Sequence, residues 1–330
     1  MSAPTLTCCR ICGAARPSEA GCIEFYAGFP WPVGDCADCG CRFTRHEDQV
    51  YNQLHADVGS SYTRYRELAA RCRDHFDRQD LSGLRELLSG TSKYRFVIDG
   101  ISSLDRRAKI LEIGCARGFL TSYFILGGWD AKGVDVSADA LHGARTMFGD
   151  HFLTAGSPEV TAGAPYDAIY HVGTIGCVAD PVGLTRQLLG LLRPGGRLLF
   201  NAPNRAACWA PNQLWLESAP PPDVVTLFPP GFWRRQFQAL ADVREEIEPC
   251  DADTSFSLGL RRLCGRRWRE PVPLPMHESR HAFQPALSVG DRSWRWVERA
   301  TLRVARTTGL VALAPRHPTD FGLFVTMTRN

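Results

Sequence analysis

The stretch Lys109-Ile110-Leu111-Glu112-Ile113-Gly114-Cys115-Ala116-Arg117-Gly118-Phe119-Leu120 constrains this chain more than any other. An apolar run reads as a strand, the glycines read as a turn, and the apolar residues after them read as the start of a helix. A strand that turns directly into a helix opens a βαβ unit, so an α/β fold with a mostly parallel sheet is expected. In such a sheet ligands lie across the carboxyl ends of the strands, where Gly114 and Gly118 fall. Glycine there tolerates positive φ and lets a ligand approach the backbone, while the helix opening near Phe119 offers unpaired N–H groups.

A second strand ends in an acid at Gly133-Val134-Asp135-Val136-Ser137, about twenty residues after the turn, where a carboxylate can accept both hydroxyls of a ribose. Several nucleoside cofactors share that contact, and the glycine spacing separates two of them. A dinucleotide site wants G-x-G-x-x-G facing a pyrophosphate. Here the pattern is Glu112-x-Gly114-x-Ala116-x-Gly118. The leading acid would repel a pyrophosphate but can receive the ammonium of a methionine moiety, directly or through water. A further strand, Tyr166-Asp167-Ala168-Ile169-Tyr170-His171, and the segment Pro194-Gly195-Gly196-Arg197-Leu198-Leu199-Phe200 complete the set.

Four pieces in this order resemble the class I S-adenosylmethionine-dependent methyltransferases, over about residues 108–250 plus the last strand. The resemblance implies a Rossmann-like, mostly parallel sheet with an antiparallel last strand. It implies cofactor contacts from Glu112, Gly114, Cys115, Ala116, Gly118, Phe119, Asp135, Val136 and His171, with the adenine edge near Gly156-Ser157. This chain departs from the family at three places: Ala116 replaces the usual middle glycine, no acid follows Gly156, and Thr174-Ile175-Gly176-Cys177 stands where relatives carry Val-Leu-Glu-His.

Seven of thirteen cysteines lie in the first 41 residues. No export signal follows Met1, so metal binding explains them better than disulfides. Cys9-Arg10-Ile11-Cys12-Gly13 and Cys36-Ala37-Asp38-Cys39-Gly40 are two C-x-x-C-G knuckles with room for a β-hairpin between them. They supply Cys9, Cys12, Cys36 and Cys39 to one tetrahedral zinc ion, with Cys8 and Cys41 as alternative ligands. Four thiolates leave no open position, so the metal is expected to be structural. A zinc module ahead of this core resembles zinc-ribbon bacterial methyltransferases of small molecules, including deoxysugar C-methyltransferases.

The expected organisation is a zinc ribbon over 1–46, a helical linker over 47–107 and the methyltransferase core over 108–250. Residues 251–330 follow as an arginine-rich insertion plus a terminal strand. In the linker, Tyr62, Tyr65, Leu68 and Cys72 mark one helix, and Leu81, Leu84, Leu87 and Leu88 a second. In the core, strands are expected at 109–113, 131–135, near 151–154, 167–171 and 196–201, with helices over 117–126, from Ser137 to Phe148 and from Asp180-Pro181. The terminal strand is Gly322–Thr328.

The sulfonium methyl of such a cofactor is already activated, so transfer needs alignment of a nucleophile, helped by a base where the acceptor is an alcohol or carbon acid. His171 and Asp223 are the candidates. His171 otherwise reads as a neutral histidine against the methionine portion, and Asp223 as a residue that bends a proline loop. The acceptor is expected against residues 203–233, rich in proline and aromatics, and 251–318. Two other functions compete, a zinc-ribbon RNA methyltransferase and a binding protein with a degenerate site. A net charge of +3 with only three lysines argues against nucleic acid. The absence of any apolar run of membrane-spanning length makes a cytoplasmic protein without membrane partners the expectation.

Overall fold

The computed structural model describes residues 6–15, 17–26, 29–46, 63–208, 212–216, 219–248, 256–257, 259–260, 263–264, 289–313 and 322–330. Tyr62, Trp209 and much of 251–318 lie outside them, as does the side chain of Tyr65. The first elements are strands β1 (Ser18–Tyr26), β2 (Phe29–Asp35) and β3 (Arg42–Phe43), then helices α1 (Thr63–Asp77), α2 (Leu81–Ser89) and α3 (Ser92–Ile101). An alternating series follows: β4 (Lys109–Ile113), α4 (Phe119–Leu126), β5 (Asp130–Asp135), α5 (Ala138–Phe148), β6 (Phe152–Thr154) and α6 (Pro158–Ala162). It ends with β7 (Tyr166–His171), α7 (Pro181–Leu191) and β8 (Leu192–Pro203). The remainder is β9 (Thr226–Leu227), α8 (Phe232–Phe237), β10 (Ala241–Ile247), α9 (Val289–Thr307) and β11 (Gly322–Arg329).

The chain divides into two compact units. The larger comprises His46–Pro203, Pro230–Glu246 and Leu323–Asn330, and the smaller comprises Met1–Arg45, Asn204–Pro229 and Ile247–Gly322. Residues 204–229, expected within the methyltransferase core, therefore cluster with the cysteine-rich segment.

In the larger unit a seven-stranded sheet runs β10-β11-β8-β7-β4-β5-β6. The pairs β4·β5, β5·β6, β4·β7 and β7·β8 are parallel. From β4 the chain steps outward to β5 and β6, then returns to the other side of β4 as β7. This reversal is a topological switch point, where open sheets bind ligands. Strand alternation is weak because both faces are covered, so β4 reads as a continuous apolar run. One covering layer is α1–α3, whose Cys72, Leu84, Leu88, Val97, Ile98 and Ile101 join Phe119, Leu120, Tyr123 and Phe124 of α4 in the core. Phe119 through Phe124 are all buried, as befits a helix packed on several sides.

Local chemistry sets the boundaries. Helix α4 starts at Phe119 rather than Arg117, because Ala116 and Gly118 hold φ of 47° and 72°, outside the helical region. The Ser137 hydroxyl caps α5 by accepting the Ala140 N–H, and Asp180 caps α7 by accepting that of Gly183, with Pro181 in the first turn. Strand β8 begins four residues earlier than the expected 196. Pro194-Gly195-Gly196 is absorbed as an irregularity, since the register passes from Tyr166↔Leu192 to Ala168↔Arg197. Helices α3 and α8 and strand β10 carry no comparable punctuation in the sequence and emerge only in the structure.

The smaller unit holds a four-stranded sheet, β1-β2-β3-β9, in which all three pairings are antiparallel. The hairpin β1·β2 occupies the span between the two knuckles.

Candidate functional site

The turn after β4 is built by alternation of left-handed residues. Gly114, Ala116 and Gly118 have φ of 72°, 47° and 72°. The Gly114 and Cys115 amides both donate to the Val134 carbonyl, at 2.7 and 3.0 Å, which ties the turn to the end of β5. Glycine is required at 114 and 118 for reasons beyond φ. A Cβ at 114 would run into the Thr174 hydroxyl, and one at 118 into the Phe152 ring. The close approach expected from a ligand is thus already made by the protein itself. Cys115 is buried, with its sulfur turned towards Gly133 rather than outward.

Asp135 links two loops. One carboxylate oxygen accepts the Ala116 N–H at 2.8 Å and the other the Ser137 N–H at 2.8 Å. A carboxylate offers about four lone-pair directions, so each oxygen keeps one for a further donor. Beside it Val136 is 75% exposed, an apolar side chain standing in solvent at a strand end. Gly156, at φ +83°, closes the β6 end with open space where a Cβ would stand, and Ser157 precedes α6 without capping it through its side chain.

Glu112 lies elsewhere than the turn's surface. It is 4% exposed, and one of its oxygens accepts hydroxyl hydrogens from Thr121 of α4 and, at 3.0 Å, Tyr170 of β7. Burial pushes its carboxyl up to about 8, against the two hydroxyl donors that favour the charged form. The Tyr170 hydroxyl is raised well above its usual value by the same burial and by Glu112. The pattern of the turn makes Glu112 a candidate for the ligand's ammonium. In the structure it joins β4, β7 and α4 from within.

His171 ends β7 fully buried and stacks on Phe200, with ring centroids 4.6 Å apart. Neither nitrogen finds a hydrogen-bond partner among the described residues. Burial lowers its pKa to about 3, so the imidazole is neutral. Asp223 belongs to the smaller unit, in a turn where its N–H donates to the Pro220 carbonyl at 2.9 Å. The two base candidates therefore sit in different units. Thr174, flagged only as a departure, is the residue that fixes the loop after β7: its hydroxyl donates to the Ile113 carbonyl at 3.2 Å. Asn201, at the end of β8, accepts the Gly173 N–H at 2.8 Å.

The four-cysteine cluster is the clearest match of sequence to geometry. The sulfurs of Cys9, Cys12, Cys36 and Cys39 all lie within 4.8 Å of one another, with Cys9–Cys39 at 3.8 Å and Cys12–Cys36 at 3.5 Å. Thiolates at tetrahedral corners of a zinc ion stand about 3.8 Å apart, so the donor set fits that metal. Gly13 and Gly40 each follow a knuckle at φ 76°, which gives the two turns the same exit. Cys8 is exposed and Cys41 is buried; neither is in the four-residue group.

The family model for a methyltransferase domain matches residues 73–240, just over half of the chain. This chain belongs to that family. It is 27% identical over 122 residues to the ubiquinone biosynthesis O-methyltransferase of Paracidovorax citrulli, covering 33% of this chain and 49% of that protein. The enzyme of the same name from Caulobacter sp. is 28% identical over 169 residues, covering 48% of this chain and 65% of that one. The chain thus spans about half to two thirds of the length of these relatives. A solved SAM-dependent methyltransferase from Archaeoglobus fulgidus is 15% identical, with 74% of this chain and 94% of that one covered and a TM-score of 0.44.

Proposed function

We propose that this methyltransferase domain uses S-adenosylmethionine to methylate a small-molecule acceptor at oxygen or carbon. The observation that carries the reading is Asp135. Its carboxylate is held by the glycine turn's own amide, retains free lone pairs and stands beside an exposed Val136. That arrangement suits a ribose with a purine next to it, and the family match over 73–240 supplies the chemistry such a nucleoside serves. Gly114, Cys115, Ala116, Gly118 and Phe119 would line the methionine side through their backbone, and Gly156 and Ser157 the adenine edge. Glu112 supports the turn from beneath by holding α4 to the sheet.

The bound cofactor supplies an activated methyl group. The protein's part is then alignment, with proton removal where the acceptor demands it. His171 is retained as a neutral contact rather than a base, since its buried imidazole binds a proton only weakly. Asp223 is retained as the acceptor-side carboxylate. Cys9, Cys12, Cys36 and Cys39 would hold one structural zinc ion, which needs reduced thiols and so favours the cytoplasm. No helix among the described residues is long and apolar enough to cross a membrane.

Calorimetry with S-adenosylmethionine and with its demethylated product tests the reading. Asp135→Ala should lose roughly 1.5–3 kcal/mol of binding, the usual value of hydrogen bonds to a charged group. Parent-like affinity in that variant would remove Asp135 from the cofactor site.

A further inference from the structure

Both knuckles grip the same distant segment. In the first, Arg10 stands between Cys9 and Cys12 and donates to the Val225 carbonyl at 3.3 Å and the Thr226 hydroxyl at 3.1 Å. In the second, Asp35 and Arg42 bracket the loop that carries Cys36 and Cys39. They close it with a bidentate ion pair at 2.9 and 2.8 Å. Arg42 also donates to the carbonyls of Gln213 and Leu214, at 2.9 and 3.2 Å.

Arg205 enters the same arrangement from the other side. Its guanidinium donates to the Gly40 carbonyl at 2.5 Å and pairs with Asp35 at 3.2 Å, while its backbone N–H bonds to the Phe228 carbonyl at 2.9 Å. Pro229 packs against Gly40, so that a Cβ there would come within 3.1 Å of its ring. The strand pairs Arg42↔Leu227 and Phe43↔Thr226, with the Thr44 N–H on the Val225 carbonyl at 3.0 Å, complete the sheet. The segment also holds itself, with the Gln213 amide donating to the Trp215 carbonyl, the Trp215 indole to the Ala219 carbonyl, and Trp215, Leu227 and Phe228 buried. What ties it to the two cysteine turns is the set of contacts made by Arg10, Arg42 and Arg205.

A four-thiolate turn without its metal has no reason to keep four sulfurs within contact of one another, because metal binding supplies the folding energy of such modules. Any group whose position depends on those turns moves with them. We propose that metal occupancy of the Cys9, Cys12, Cys36, Cys39 cluster sets the conformation of residues 204–208, 212–216 and 219–229, with Arg10, Arg42 and Arg205 as the coupling residues. The inference rests on the zinc reading above and extends it. The metal does not merely stabilise a small appendage: it orders the chain that continues from the end of β8. Because linkage is reciprocal, loosening the arginines must also weaken the hold on the metal.

Hydrogen exchange of the full chain, zinc-loaded and after chelation, tests both directions. On metal removal the amides of 219–229 should exchange at least about tenfold faster, in step with those of 36–44, while peptides covering 109–113 and 166–171 keep their rates. In the loaded protein Arg205→Ala should transfer zinc to a chromogenic chelator at least about tenfold faster. Arg205→Lys, which keeps the charge but not the fork, should fall between that variant and the parent. Unchanged exchange at 219–229 after verified metal loss overturns the coupling, and so does parent-like zinc release from both Arg205 variants. Should chelation speed exchange across the whole chain, the release rates of the loaded variants decide. A reconstituted protein that holds no zinc overturns the four-cysteine reading itself and the coupling with it.

Discussion

Ala116 sits at φ 47° between two glycines at 72°, in a region where an L-residue with a Cβ is strained by roughly 1–2 kcal/mol. Replacing it by glycine removes that strain but gives the unfolded chain more freedom, which costs about 0.4–1 kcal/mol. Ala116→Gly is therefore expected to stabilise the larger unit by up to about 1.6 kcal/mol, read as a shift of the urea midpoint at unchanged slope. Glu112 leads to a pH prediction. Its carboxyl titrates at about 8 in the folded protein and near 4.5 when exposed, so between those values the native state holds a proton that the unfolded chain has released. The stability this lends is full below about pH 4.5, declines as pH rises through the window and is gone above about 8. Urea unfolding at pH 6 and pH 9 should show that decline in the parent and its loss in Glu112→Gln, whose amide still accepts from Thr121 and Tyr170. The sequence points this acid at a ligand's ammonium and not into the core, although its neighbours argue for burial. Glu112 lies among Ile110, Leu111 and Ile113, and the centre of a parallel strand is covered on both faces. Its partners were not legible, because Thr121 and Tyr170 meet it only through helix and sheet packing.

Among the elements, those with a strong period or a definite cap were readable in the sequence. Strand β4, strand β5 and helix α5 fall within a residue or so of expectation, since Ser137 and the glycines punctuate them. The Pro194-Gly195-Gly196 segment misled because its turn chemistry is real, yet neighbouring pairing carries it into β8 as an irregularity. Strand β9 could not be foreseen: two residues have no periodicity, and their partner is a strand far away in the sequence. The knuckles were readable because four sulfurs at fixed spacing specify their own geometry. One zinc ion per chain is expected by elemental analysis of purified protein. The double variant Cys9→Ser with Cys36→Ser should lose it, since two ligands of four are gone. Stoichiometric zinc in that variant would bring Cys8 or Cys41 forward.

At the scale of the whole molecule, sheet order matters more than sequence order. Strand β11 is the last element in the chain but lies between β10 and β8, inside the sheet. Its Leu323, Val325 and Met327 are buried, and Phe324 stacks on Phe96 of α3 with centroids 4.4 Å apart. Deleting 322–330 therefore removes an interior strand and leaves an edge of β8 unpaired. The expected outcome is loss of cooperative unfolding by circular dichroism, with aggregation on concentration, rather than a trimmed and otherwise native protein. The position of β11 also has a consequence during synthesis. During synthesis the cysteine turns emerge well before Thr226–Leu227, which extends their sheet, and β8 emerges well before β11, its neighbour in the other sheet. Until those strands arrive, an edge of β3 and an edge of β8 stay unpaired on the nascent chain, and unpaired strand edges are where partly folded chains associate.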